Sequence, residues 1–95
     1  MFSNDSRWDR HTPGDDREEV PINAGVYFKK GRAYPKMFIW RDRRYDVEEV
    51  TYHWEERRGR DLLHFYTVAA GGNVFVIYFN TKYLYWRLAR TCPNE

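Results

Sequence analysis

Two different patterns divide this chain. Up to about residue 25 the apolar positions follow no period: Phe2, Trp8, Val20 and Ile22 stand apart among Ser, Asn, Asp, Glu, Gly and Pro. Such a stretch buries too little apolar surface to offset the entropy of ordering it, so residues 1–25 are expected to form a disordered acidic tail. From residue 26 onward apolar and polar positions alternate with a period of two, the signature of strands with one buried face. Val26–Lys29 is expected as a short first strand with Lys30-Gly31 as its exit turn. Lys36–Arg41 follows, and Arg41-Asp42-Arg43-Arg44 turns the chain into Tyr45–Glu55. That segment changes parity midway: Tyr45 and Val47 point one way, Val50, Tyr52 and Trp54 the other. A β-bulge near Glu48-Glu49 accounts for the slip. A short helix is the alternative, since Val47, Val50 and Trp54 also fit helical spacing; a bent strand is the reading adopted.

Three further strands, Leu62–Ala69, Val74–Asn80 and Leu84–Arg90, are rich in aromatic and β-branched residues. Gly71-Gly72 suits a two-residue hairpin, whose central positions often need positive φ. Thr81-Lys82, preceded by Asn80, is read as a second such turn. Glu56–Asp61 is a charged loop. The expected fold is mostly β: a five- to six-stranded antiparallel meander over residues 26–91, curled into a barrel or half-barrel. Residues 92–95 are expected to be a disordered C-terminus.

The turns predict registers. Centring on Gly71-Gly72 sets Val68 against Phe75, Tyr66 against Ile77 and Phe65 against Tyr78. Centring on Thr81-Lys82 sets Ile77 against Trp86, Phe75 against Leu88, Phe79 against Leu84 and Tyr78 against Tyr85. Opposed residues share a face. One face then carries Leu62, Tyr66, Val68, Phe75, Ile77, Phe79, Leu84, Trp86 and Leu88, and is expected to be the core. On the other face, pairing across the charged loop puts Tyr52 opposite Phe65, giving a lateral row Tyr52, Phe65, Tyr78, Tyr85 with Arg87 and Lys82 beside it. Such a row is either a stacking platform for bases or a surface covered by another strand, the tail or a second subunit.

Charge sharpens the first option. Residues 26–91 hold 16 of the 18 aromatic residues, and 13 Lys and Arg against 7 Asp and Glu. The first 25 residues hold 3 Arg against 6 acids, and the whole chain is +2. Arg41, Arg43 and Arg44 sit at one turn and Arg57, Arg58 and Arg60 in one loop, the residue type that binds phosphate bidentately. Asp42, Glu55, Glu56 and Asp61 offset part of that charge. In the tail, the acidic run Asp15, Asp16, Glu18 and Glu19 either folds back on the basic domain and competes with a polyanion or, as is commoner, simply keeps a basic protein soluble.

Other chemistry is sparse. The single cysteine, Cys92, cannot form an internal disulfide, which fits a reducing cytoplasm. No apolar run reaches the length of a membrane span, and residues 1–20 are too polar for a signal peptide. His53 and His64 are expected as cross-strand neighbours, but two imidazoles do not make a structural zinc site, so no metal or cofactor is expected. There is no glycine-rich phosphate loop, nucleophile elbow, cysteine–histidine pairing or defined carboxylate pair, and a non-enzymatic protein is the reading.

The run Phe38-Ile39-Trp40-Arg41-Asp42-Arg43-Arg44-Tyr45-Asp46-Val47-Glu48-Glu49-Val50, with Trp54, Phe75-Val76-Ile77-Tyr78 and Trp86-Arg87-Leu88, resembles a family of small uncharacterised bacterial β domains. Some of those are similar to C-terminal segments of translesion-polymerase-like proteins that serve DNA-damage tolerance. The resemblance spans about residues 37–90 and implies a fold rather than a catalytic residue. The family tends to have glycine where this chain has Asp42, and tryptophans where it has Arg58-Gly59-Arg60. The expected function is a cytoplasmic binding module for single-stranded DNA or RNA. It would use Arg41, Arg43, Arg44, Arg57, Arg58, Arg60 and Arg87 with Tyr78 and Tyr85. The alternative is a module that pairs the same aromatic face with a protein partner or a second copy of itself.

Overall fold

A computed structural model describes residues 19–93. Seven strands follow one another: β1 (Val20–Lys29), β2 (Arg32–Trp40), β3 (Arg43–Asp46), β4 (Glu49–Arg58), β5 (Asp61–Ala70), β6 (Asn73–Asn80) and β7 (Tyr85–Pro93). All pairings are antiparallel, in the order β3-β2-β1-β7-β6-β5-β4. Every consecutive pair of strands is therefore adjacent except β3 and β4, and β1 closes on β7. The result is a curled half-barrel with one open seam.

Val47 and Glu48 cross that seam. The Val47 amide donates to the Lys36 carbonyl at 2.9 Å and the Glu48 amide to the Ala69 carbonyl at 2.8 Å, so two adjacent residues tie β2 to β5. The parity change seen in the sequence is this corner. Tyr45–Glu55 is not one bulged strand, nor a helix, but the end of β3, a crossing and the start of β4. The bulge in this region falls in β4 between Val50 and Tyr52. A third tie spans the gap: the Tyr66 hydroxyl donates to the Ala33 carbonyl at 2.8 Å.

Several boundaries differ from those the pattern predicts. There are seven strands rather than five or six. The first begins at Val20, so residues 20–25, expected in the tail, lie in the sheet; Ile22 pairs with Trp86 and is buried. Cys92 and Pro93, expected in a loose C-terminus, belong to β7. The expectation of disorder for residues 1–18 lies outside the described residues.

Both outer hairpin registers slip by two residues. The β5–β6 register is as expected, with Phe65 against Tyr78 and Val68 against Phe75. In β6–β7, however, Ile77 meets Leu88, Phe79 meets Trp86 and Tyr78 meets Arg87. The cause is Asn80. Its Oδ1 accepts from the amides of Lys82 and Tyr83 at 2.8 and 2.9 Å, and its carbonyl accepts from Leu84 N at 2.8 Å, making a longer loop. In β4–β5 the turn tightens onto Gly59-Arg60, and Trp54 replaces Tyr52 opposite Phe65.

A slip of one residue would have exchanged the faces; a slip of two leaves them unchanged. The concave core accordingly contains Tyr66, Val68, Phe75, Ile77, Trp86 and Leu88, joined by Ile22, Phe38 and Tyr45. Phe38, Tyr45 and Phe75 pack ring to ring with centroids 5.0–5.1 Å apart. Three expected core residues depart from this, Phe79 being only partly buried against the core. Leu84 lies in the longer loop and is 71 % exposed, and Leu62 is only half-buried. The convex face carries a second buried cluster of Leu63, Phe65, Val76, Tyr78 and Ala89, flanked by Trp54 and Tyr85.

Candidate functional site

The aromatic row forms, with a substitution. Trp54 stacks on Phe65 at 5.1 Å, and Phe65 lies 4.8 Å from Tyr78, across β4, β5 and β6. Tyr52 leans on Trp54 at 5.5 Å and is 65 % exposed. Arg87 takes the next cross-strand position and lies over the Tyr85 ring at 4.8 Å. Phe65 and Tyr78 are each 3 % exposed, so their rings are not a free stacking surface. The accessible rings are those at the ends of the row.

What lies on the row is an acid held by cations. Arg58, opposite Asp61 at the end of β4, folds back over the Phe65 and Tyr78 rings at 5.6 and 5.3 Å. One guanidinium nitrogen donates to Glu19 Oε1 at 2.8 Å, and the Tyr78 hydroxyl donates to the same oxygen at 2.8 Å. Arg87 donates to the Glu19 carbonyl at 3.2 Å. Desolvation by itself would push the Glu19 carboxyl up, but the hydrogen bond and charge of Arg58, then Tyr78 and Arg87, hold it below its ordinary value. Burial, followed by the charge and hydrogen bond of Glu19, pushes the Tyr78 hydroxyl well above the usual tyrosine range. The Arg58 guanidinium and the Tyr78 hydroxyl thus form an oxyanion site that the chain's own carboxylate fills, while Arg87 holds the Glu19 main chain and adds its charge nearby. Of the four tail acids read as able to fold onto the basic domain, Glu19 makes this contact; Asp15, Asp16 and Glu18 lie outside the described residues.

The two arginine clusters do not converge. Arg41 and Arg43 lie over Trp40 and Tyr45 at 4.4 and 5.5 Å, and Arg44 pairs with Asp46 at 2.8 Å. Tyr45 packs on Phe75, near one end of β6, whereas Arg57, Arg58 and Arg60 flank the turn beside Asn80 at the other end. Five residues of strand separate those ends by roughly 17 Å. Arg57 and Arg60 are exposed. Arg58, Tyr78, Arg87 and Tyr85 are the sequence candidates that meet. Sequence reasoning missed Trp54 and Glu19 as their partners, because a two-residue slip and a contact 59 positions long are invisible to local pattern.

A second feature opens in the seam. Between the β1–β2 hairpin and β4–β5 lies a slot of about 530 Å³, with His53, His64, Glu55, Arg32 and Tyr66 among its walls. His53 faces Tyr66, not His64 as expected, yet the two imidazoles lie parallel with centroids 6.0 Å apart. Among the described residues no group of three or more His, Cys, Asp or Glu is placed to hold a metal ion.

A family model matches residues 15–91, all of the sheet but the last two residues of β7, with four residues before Glu19. The chain belongs to the family described as Domain of unknown function (DUF6504). Its matched span is wider than the resemblance at residues 37–90 and takes in Glu19 and all of β1. No curated protein and no solved structure matches the chain. Among the described residues there is no helix long and apolar enough to cross a membrane.

Proposed function

We propose that this domain is a non-enzymatic, cytoplasmic module that binds single-stranded nucleic acid on its convex face. The observation that carries the reading is the oxyanion site of Arg58 and Tyr78, filled by the Glu19 carboxylate, with the charge of Arg87 beside it. A backbone phosphate has the charge and acceptor oxygens to take the carboxylate's place. Trp54 with Tyr52 on one side, and Tyr85 on the other, give bases rings to stack on, each worth roughly 1–3 kcal/mol. The resemblance read from the sequence, to a family of which some members are similar to C-terminal segments of translesion-polymerase-like proteins, is compatible with such a ligand. The arginines at positions 41, 43 and 44 lie at the far end and act mainly as long-range attraction.

Fluorescence anisotropy of a labelled oligonucleotide tests this. Each of Arg58→Ala and Arg87→Ala is expected to weaken binding and to lower the slope of log K against log salt by about 0.7. Glu19→Gln is expected to tighten binding about fivefold, the size of one ion pair. No binding at low salt ends the proposal.

A protein partner is the second reading. Phe28, Tyr83 and Leu84 are 65, 59 and 71 % exposed near one end of the half-barrel, an apolar surface that suits protein contact. Sedimentation showing a salt-insensitive dimer, with no nucleic-acid binding, would favour it.

A further inference from the structure

The seam slot is built differently from the apolar interior it adjoins. Its volume of about 530 Å³ is that of a small-molecule site rather than a packing defect. Phe28 and Tyr34, 65 and 38 % exposed, bring aromatic rings to its lining. Further along, the lining is polar, with Arg32 as a cationic donor and several acceptors. The Tyr66 hydroxyl commits its proton to the Ala33 carbonyl, which leaves its oxygen as an acceptor. The Glu55 carboxylate, 55 % exposed, faces His64 Nδ1 at 3.6 Å. Desolvation, then Arg32 and His64, hold the His53 imidazole below its ordinary value, so at neutral pH it too has a lone pair. Rings for stacking beside a carboxylate, a hydroxyl oxygen, a neutral imidazole and a guanidinium are the complement of a flat heterocycle whose edge carries N–H donors together with ring or carbonyl acceptors.

The slot is also reachable from the convex face. Successive side chains of β4 point to opposite faces, so Trp54 and Arg58 lie on the convex side and His53 and Glu55 on the slot side. β4 is an edge of the sheet. A strand whose phosphates lie at Arg58 therefore has only one β-strand to cross before a base reaches the slot.

We infer that the slot receives one amino-bearing nucleobase (adenine, cytosine or guanine) of the bound single strand, its amino group donating to Glu55. This rests on the nucleic-acid reading above. Thymine and uracil lack an amino group, and their N3–H lies between two carbonyl oxygens that the carboxylate repels, so they are disfavoured.

The test uses the full chain and labelled oligocytidylate and oligothymidylate of equal length. Oligocytidylate is expected to bind about tenfold tighter, the discrimination of one well-placed hydrogen-bonding contact. In Glu55→Gln the amide can donate to a carbonyl, and the preference is expected to fall toward unity without loss of oligothymidylate binding. Tyr34→Ala is expected to weaken oligocytidylate binding more than oligothymidylate binding, and Arg58→Ala to weaken both alike. Binding that needs Arg58 but shows no base preference, or a preference that survives Glu55→Gln, overturns this inference alone. Binding of neither oligonucleotide overturns it together with the proposed function.

Discussion

The Tyr78 hydroxyl and the Glu19 carboxylate lie 2.8 Å apart across 59 positions of sequence, and the same carboxylate oxygen takes the Arg58 guanidinium at 2.8 Å. That oxygen ties the residue leading into β1 to the middle of the sheet. It also makes stability depend on pH with a definite sign. The Glu19 carboxyl titrates below its ordinary 4.5 in the folded chain. Its contribution is therefore fully present above about pH 4.5 and is lost as pH falls through the lowered folded value. Thermal melts between neutral and acid pH are expected to show wild type losing more stability on acidification than Glu19→Gln. Equal losses would mean the contact contributes nothing.

Tyr78→Phe keeps the ring against Phe65 and removes only the hydroxyl. The expected cost is about 1–2 kcal/mol, since Glu19 loses a donor in a half-buried place. Combined with Glu19→Gln in a double-mutant cycle by urea denaturation, the coupling is expected to be about 1 kcal/mol. Additive effects would show that the two residues do not depend on each other. Burial raises both Tyr66 and Tyr78, so in wild type two tyrosines are expected to resist ionisation in an alkaline absorbance titration, and Tyr78→Phe to shrink that late step by one tyrosine.

Asn80 is the polar residue in the buried set, 1 % exposed. Besides holding the turn amides, its Nδ2 donates to Asp61 at 3.1 Å and to the Tyr85 hydroxyl at 3.3 Å. Asn80→Ala leaves these groups and the Lys82 and Tyr83 amides without their partner, and is expected to cost about 2–3 kcal/mol by chemical denaturation. A cost below about 0.5 kcal/mol would mean that the loop holds its own register.

Asn80 also shows where the sequence stopped being legible. The alternation from residue 26 onward was enough for the strand class, for the β5–β6 register and for six of the nine expected core residues, because face assignment survives a two-residue slip. It did not reveal that one side chain would lengthen the loop after β6, since Thr81-Lys82 looks like an ordinary two-residue turn. Tyr45–Glu55 carried the parity change, but that signal is the same for a bulge and for a chain stepping across a seam. Only the meeting of Val47 and Glu48 with Lys36 and Ala69, far away in sequence, decides between them. At the site, Arg58, Tyr78, Tyr85 and Arg87 were legible as aromatic and cationic residues of one sheet. Glu19 was not legible as their partner, because it lies in a stretch with no period and its contact is long-range.

The β2–β3 turn holds Arg41 and Asp42 at φ 55° and 59°, both in the left-handed region. Two consecutive positive values are the pattern of a type I′ hairpin, which favours glycine at the second position. The side chain of Asp42 is exposed. Asp42→Gly is therefore expected to stabilise the fold by about 0.5 kcal/mol, backbone relief slightly exceeding the extra freedom of the unfolded chain. Gly71→Ala tests the same argument with the opposite sign. Gly71 has φ 57°, and a Cβ there meets the Tyr45 ring at an ordinary 3.5 Å, so the cost falls on the backbone alone. About 1 kcal/mol of destabilisation is expected. Denaturation midpoints that move in the same direction for both variants would show that φ does not govern these turns.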